Sequence, residues 1–317
     1  MSSRLQIEKL YALGNYADAV PLAEAAVEAA RLSYGPDHAE TARALNDLAV
    51  LYDAMARYDE ATTLYREALA IREQQLGAEH GDTATSLVNL AHACYRLGHY
   101  DEAEEAYRRG LAIYEQLVGP AHPDTATCLN NLALLYDAVG RYDDAEELYQ
   151  RALTTYETAL GPNHPDTATS LNNLALHYDA QKRYDDAEPL FERAVTICER
   201  ILGQAHPRTA TSMSNLATLY SHQRRYDDAE TLFQKALAVF ETAFGTDHGN
   251  IAVTVNSLAN LYWLQGRRRE AEPLYKRALE IHQKVHGPDH PRTVACRKRL
   301  AEATRDRADE RTSQSDA

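Results

Sequence analysis

Apolar residues recur at helical spacing in the middle of the chain. Between residues 125 and 160, two stripes follow the i, i+3, i+4, i+7 spacing of one helix face. The first stripe comprises Leu129, Leu132, Ala133 and Tyr136, and the second comprises Ala145, Leu148, Tyr149, Ala152 and Tyr156. The segment Val139-Gly140-Arg141-Tyr142 separates the two stripes. The pattern predicts two antiparallel helices joined by a tight turn.

This pair of stripes recurs every 42 residues, and two series of residues mark the period. They are the histidines His38, His80, His122, His164, His206, His248 and His290, and the glycines Gly35, Gly77, Gly119, Gly161, Gly203, Gly245 and Gly287. A fixed period of this length is typical of solenoid proteins. We predict one solenoid over residues 1–303, with a shortened first repeat (4–40), six full repeats (41–292) and a capping helix (293–303). Residues 304–317 lose the apolar pattern and are expected to form a flexible polar tail.

The loops between repeats carry recognisable helix signals. Gly161 should end the preceding helix in the left-handed conformation, and Pro165 suits the first turn of the next helix. Asp166 or Thr167 is expected to cap that next helix. The histidines of the 42-residue series are expected to cap or brace their own loops, since residues one helix pair apart cannot share a metal ion.

Small and aromatic residues form columns at the expected helix contacts. Alanine columns let helix axes approach closely, and a tyrosine column is expected to fill the space between helix pairs. The alanines are Ala49, Ala91, Ala133, Ala175, Ala217 and Ala259, then Ala61, Ala103, Ala145, Ala187, Ala229 and Ala271; the tyrosines are Tyr58, Tyr100, Tyr142, Tyr184 and Tyr226. Arg268 takes the tyrosine position in the sixth repeat. We expect that corner to pack differently.

The order of these columns resembles the tetratricopeptide repeat. The 42-residue unit, with its NNLALLY, YDDAE and GPNHPD segments, resembles the repeat of kinesin light chains and their bacterial relatives over roughly residues 5–303. The resemblance implies an all-α fold, a right-handed α-solenoid of antiparallel helix pairs. The first helix of each pair would line an inner groove. The charges agree, because Thr125–Val139 contains one charged residue, Asp137, whereas the following helix is heavily charged.

A second stripe on the first helices is the candidate binding site for a protein or peptide. Its members are not needed for the core, and they are Asn89, Asn130, Asn131, Leu134, Asp137, Asn172, Asn173, Leu176, Asp179 and Asn215. The amides can donate to and accept from a peptide backbone, and related repeats use an asparagine at the matching place to hold peptide. The asparagines could instead brace neighbouring helices. Trp263 is either a binding anchor or a packing residue against the capping helix.

The charge of the chain bears on the partner. The formal net charge is −14, which argues against nucleic acid and permits a basic or apolar partner. Kinesin light chains bind acidic peptides through a basic groove. Here Asp53, Asp137 and Asp179 would face inward with few compensating cations. We therefore expect a basic or mixed-charge peptide rather than an acidic one.

Other chemistry finds little support in the sequence. The four cysteines form no CxxC pair, and no phosphate-loop, dinucleotide, GxSxG or HExxH motif occurs. His282 and His286, at i and i+4, could chelate a metal only weakly. We expect no cofactor, no metal and no enzymatic activity, and a cytoplasmic protein without a membrane partner. A regulatory module whose superhelix responds to a peptide or small ligand is the alternative to a scaffold.

Overall fold

The computed structural model describes the backbone of residues 3–315 and the side chains of residues 4–304. Over this range the chain forms fifteen α-helices. They are α1 (Ser3–Ala12), α2 (Tyr16–Tyr34), α3 (Ala39–Ala54), α4 (Tyr58–Leu76), α5 (Gly81–Leu97), α6 (Tyr100–Leu117), α7 (Pro123–Ala138), α8 (Tyr142–Leu160), α9 (Pro165–Ala180), α10 (Tyr184–Leu202), α11 (Pro207–His222), α12 (Tyr226–Phe244), α13 (Gly249–Leu264), α14 (Arg268–His286) and α15 (Pro291–Ser315). The predicted all-α fold, with two helices in each 42-residue repeat, is confirmed.

The chain comprises two compact units, Met1–His177 and Tyr178–Ala317. In the first unit, helices α1 to α8 pack consecutively as antiparallel pairs, and α10 to α15 do so in the second. First helices of neighbouring pairs also touch each other, as α3 and α5 do. A single solenoid over residues 1–303 stays a prediction. So does the flexible tail from residue 304: α15 continues to Ser315, and residues 316 and 317 lie outside the described range.

The core of each pair is built from alanine and one large aromatic ring. Every member of the two predicted alanine columns is completely buried, as expected. The column that fills the interior is Tyr65, Tyr107, Tyr149, Phe191, Phe233 and Tyr275, each at most 3% exposed. The predicted tyrosine column fills it only at Tyr58, since Tyr100 and Tyr142 are 40% and 49% exposed. These two rings lie at the first residue of their helices, at the corner of the pair, where solvent reaches them.

The loop between repeats uses three residues in fixed roles. Gly161 has φ 93° and ψ 159°, a region open essentially only to glycine, so the predicted left-handed helical conformation is wrong. His164 Nδ1 accepts the backbone N–H of Asp166 at 3.1 Å, and Thr167 Oγ1 donates to the Gly161 carbonyl at 2.9 Å. The histidine is therefore the cap, and the expected capping by Asp166 or Thr167 is wrong because the threonine hydroxyl donates backwards to the glycine.

The same histidine cap occurs in all seven loops, which confirms the prediction that these histidines serve their own loops. The threonine bond occurs in six of them. In the remaining loop Ile251 has no hydroxyl, and Gly245 there adopts a different ψ of −157°. Among the described residues, none of the helices combines the length and the apolar character that a membrane crossing requires.

Candidate binding face

The first helices of adjacent repeats form a face in each compact unit, which we call the first-helix face. In the first unit it comprises Asn46, Asn89, Asn130, Asn131, Leu134, Asp137, Asn172, Asn173 and Leu176. In the second unit it comprises Asp179, Asn215, His222, Asn256, Trp263 and Leu264. The lateral contacts of α3 with α5, α5 with α7, and α11 with α13 place these helices side by side.

The asparagines of the first unit differ from one another in what they bond. Asn89 Nδ2 donates to Asn46 Oδ1 at 3.0 Å, so this asparagine braces α5 against α3. Asn131 and Asn173 are half-buried, and neither side chain has a hydrogen bond within the described part of the chain. Asn130 is 7% exposed, and its Oδ1 is buried without a partner there. Bracing therefore accounts for Asn89 but leaves the other three amides with unused hydrogen-bonding capacity.

Leucines adjoin these amides at the surface. Leu134 and Leu176 are 42% and 41% exposed, although the leucines next to them in the core stripe, such as Leu132, are buried. On a helix, Leu134 lies one turn from Asn130 and Asn131, which puts apolar and amide groups on the same patch. The patch combines the two kinds of contact that an extended peptide needs, for its side chains and for its backbone.

Histidines contact the aspartates of the first unit. His177 Nδ1 donates to Asp137 Oδ1 at 2.6 Å, and the His177 side chain is completely buried against the Tyr149 ring. His92 Nδ1 lies 3.3 Å from Asp53 Oδ1. Each of these aspartates thus has a histidine neighbour, which the sequence did not reveal, and the expectation that few cations compensate them stays a prediction.

The second unit repeats this contact. His222 Nδ1 donates to Asp179 Oδ1 at 2.8 Å, and Asp179 is 9% exposed. This hydrogen bond raises the pKa of His222 and outweighs the opposite effect of burial. The three contacting histidines occupy columns that hold other residues in the remaining repeats. The sequence analysis missed them because the contact joins positions about 40 residues apart, which no local motif reveals.

The C-terminal part of the face is more apolar. Asn215 is half-buried, and Leu264 is 58% exposed. The half-buried Trp263 ring lies 5.0 Å from the Arg268 guanidinium, so the arginine at the tyrosine position makes a cation–π contact at this corner. This corner therefore packs differently from the others, as expected. Both roles proposed for Trp263 stay predictions.

An arginine just before the second helix joins the first helix to its neighbours in the third and sixth repeats. Arg141, just before α8, stacks over the Tyr136 ring at 3.9 Å and donates to Glu104 of α6 at 2.9 Å. Arg267 does the same with Tyr262 at 3.8 Å and with Glu230 at 2.6 Å. The turn at Arg267 is thus a structural joint. Recurrence of arginine before the YD pair was the signal in the sequence.

Within the described residues, no group of three or more His, Cys, Asp or Glu side chains is arranged to hold a metal ion. The His282 and His286 rings are stacked with centroids 5.7 Å apart. Burial lowers the pKa of each to about 4. The cysteines Cys94, Cys128, Cys198 and Cys296 are buried and free.

Known proteins resemble this chain in sequence and in fold. None of the curated proteins matches the sequence significantly. Among solved structures, BtubC (BKLC) from P. vanneervenii is 25% identical, with a TM-score of 0.56, over 75% of this chain and 92% of that one. A putative kinesin light chain repeat protein from Podospora anserina is 27% identical, with a TM-score of 0.52, over 65% of this chain and 98% of that one.

A more distant likeness concerns the fold alone. The Rap conjugation gene regulator of plasmid pLS20, solved with the Phr* peptide, is 15% identical, with a TM-score of 0.63, over 88% of this chain and 72% of that one. The sequence profile of the tetratricopeptide repeat matches overlapping segments at residues 10–74, 54–116, 82–158, 138–200, 166–242, 208–283 and 250–314. The resemblance to kinesin light chain-like repeats is thereby confirmed. Since these matches run from residue 10 to residue 314, the chain belongs to the tetratricopeptide repeat family.

Proposed function

We propose that this protein is a scaffold that holds an extended peptide or a partner protein on its first-helix face, without a catalytic step. The observation that carries the proposal is the patch of Asn130, Asn131 and Leu134. It combines a buried amide oxygen without a partner, a half-buried amide without a described bond, and a leucine that is 42% exposed. Buried polar groups are almost always hydrogen-bonded, so a ligand that bonds these amides is favoured.

The next repeat supports the same function. Asn173 and Leu176 present an amide and a leucine that is 41% exposed, at the positions of Asn131 and Leu134. Two such pairs, 42 residues apart in sequence, could hold successive parts of one extended chain. Repetition gives the peptide a second point of attachment at a small additional entropic cost.

We further propose that the peptide is basic or of mixed charge. Asp137 and Asp179 place carboxylates on the face, and the whole chain has a formal net charge of −14. A cationic partner is attracted by such a surface, most strongly at low ionic strength. A screen of labelled basic, mixed-charge and acidic peptides by fluorescence polarisation tests this point. Binding of acidic peptides only would contradict it.

The binding site is tested by the double variant Asn131→Ala, Asn173→Ala. Each lost amide–backbone hydrogen bond is worth about 0.5–1.5 kcal/mol, so the loss of two should lower peptide affinity about 5- to 150-fold. Asn163→Ala is the matched control, since this exposed asparagine lies in the loop before α9 and not on the face. Equal affinity of the double variant and the control would refute the asparagine site.

The regulatory alternative predicts a different response to the same peptides. A scaffold should gain hydrogen-exchange protection only at the first helices that bear the bound peptide. A regulatory module should change its protection in second helices and loops as well, because its helix pairs would shift. Hydrogen exchange with and without a bound peptide separates the two functions.

A further inference from the structure

A polar cavity lies in the second compact unit between α13, α14 and α15. Its volume is about 520 Å³, and its lining includes Asn256, His282, Arg292, Lys298 and Arg299. Three helices supply these residues, so the cavity is part of the packed fold and not a feature of one loop. The basic residues all come from α15.

Two buried polar atoms of the lining have no partner in the described structure. They are Oδ1 of Asn256 and Nδ1 of His282. His282 is only 3% exposed, so water is largely excluded from its ring. A buried polar atom without a hydrogen bond costs about 1–3 kcal/mol. Two such atoms lining one cavity indicate that a ligand completes their bonding.

The charge of the lining indicates which kind of ligand. Arg299 forms an ion pair with Glu302 at 3.3 Å, and Glu302 is the one carboxylate of the described lining. Arg292 and Lys298 have no ion-pair partner among the described side chains. Among the described side chains, Arg292 and Lys298 are thus two cations without an ion pair beside two buried polar groups.

Two of the basic residues have no basic counterpart in the full repeats. The positions of Lys298 and Arg299 are held by Asn172 and Asn173 in the fourth repeat, whereas the position of Arg292 is held by Asp166 in one repeat and by Arg208 in the next. The position of His282 is held by the aromatic residues Tyr156 and Phe240 in the third and fifth repeats. Ordinary repeat packing thus requires neither the positive charge nor the buried imidazole.

We propose that this cavity binds an oxyanion, the carboxylate or phosphate group of a small ligand. Arg292 and Lys298 would neutralise its charge, and His282 would donate to it through Nδ1–H. The amide of Asn256 can turn its NH₂ group towards the anion, since both orientations fit the same space. The site shares Asn256 with the first-helix face of the second unit, but the peptide patch of Asn130, Asn131 and Leu134 lies in the first unit, so either proposal can fail without the other.

The imidazole of His282 provides a direct readout of binding. Burial, then Arg292 and His290, lower the pKa of His282 to about 4. The titratable groups around it are His286 on α14, His290 in the following loop and Arg292 on α15, and Glu302 is the one negatively charged residue of the described lining. An anion bound beside the ring opposes these effects, so the pKa of His282 rises when the site is filled.

The experiment is a titration of the full chain with inorganic phosphate and, separately, with acetate, with chloride holding the ionic strength constant. The His282 ring is followed by ¹H–¹⁵N NMR spectroscopy. We expect a saturable shift of its signals and a higher pKa at saturation. A response to both anions assigns a general oxyanion site, and a response to phosphate alone restricts the site to phosphate groups.

Matched variants test the residues. Arg292→Gln and Lys298→Gln should each weaken anion affinity by about fivefold, the upper end for a largely exposed ion pair. Glu302→Gln should strengthen affinity, because it removes the competing carboxylate. Lys235→Gln makes the same charge change on exposed α12, outside the lining, and should have no effect. No saturable His282 response, or equal losses in Lys235→Gln, would overturn the proposal.

Discussion

Gly110 in α6 provides a sharp test of how the repeats pack. Its column holds alanine in the other full repeats, and the glycine is buried. A methyl group added at Gly110 would lie 3.0 Å from Cγ2 of Val88 and 3.4 Å from the carbonyl oxygen of Ala84. Val88 is itself unusual, because its column holds asparagine or serine in the other full repeats, as at Asn130 and Ser214. The small and the large residue therefore compensate each other.

Two opposing effects decide what Gly110→Ala does. Alanine in place of glycine within a helix stabilises by about 1 kcal/mol. Carbon atoms prefer separations of about 3.5–4.0 Å, so the contact with Val88 must open by roughly half an ångström, and such overpacking costs about 1–3 kcal/mol. We expect a net loss of about 0–2 kcal/mol. In a Val88→Ala background the clash is gone, and the same substitution should stabilise by about 1 kcal/mol.

The assay is a double-mutant cycle of four proteins: the parent, Gly110→Ala, Val88→Ala and the double variant. Hydrogen exchange of the α5 and α6 amides gives the local free energy of opening, which suits a repeat protein that need not unfold in one step. We expect a coupling of about 1–3 kcal/mol, in line with contacting residues. If Gly110→Ala stabilises both backgrounds equally, the contact with Val88 has no energetic effect and the reasoning is wrong.

Three further predictions concern the loops and the aspartate–histidine contact. His164→Ala removes the cap of the Asp166 N–H and should cost about 1 kcal/mol, measured by urea unfolding. Gly161→Ala forces alanine to φ 93° and should cost about 1–3 kcal/mol in the same assay, although no neighbour obstructs the methyl group. Because Asp179 raises the pKa of His222, their contact should stabilise fully below pH ~6.5 and be lost as the pH rises through the raised value. In the Asp179→Asn variant, the free energy of unfolding, measured by the fluorescence of the single tryptophan, should no longer show this pH dependence.

The helices and their pairing could be predicted from the sequence because they depend on local and repeated patterns. A helix stripe such as Leu129 to Tyr136 lies within two turns, and the 42-residue period applies the same pattern again and again. The detailed geometry of the loops could be predicted less well from the sequence. The capping role of His164 was anticipated only as one of two possibilities, since histidine is not among the usual capping residues.

The candidate site was less predictable because its contacts join residues in different repeats. The column of Asn89, Asn131 and Asn173 looks uniform in sequence, yet only Asn89 has a described bracing partner, Asn46. For Asn131 the position equivalent to Asn46 is held by Val88, which has no amide. The contact of Asp137 with His177 has the same origin, a substitution in the next repeat. Such differences appear only when the repeats are set side by side in space.

This distinction also bears on where partner specificity lies. Residues that recur in nearly every repeat already have intramolecular roles, as His164 caps a loop and Arg141 joins two helices. A side chain that already holds the fold together is less available to select among ligands. The columns that vary are those of Leu134, whose counterparts are His92 and Asn260, and of Asp137, whose counterpart is Trp263. Substitution in these varying columns should therefore change which peptide is bound. Substitution in the regular columns should instead change the stability of the fold, and it should affect the binding of every peptide alike.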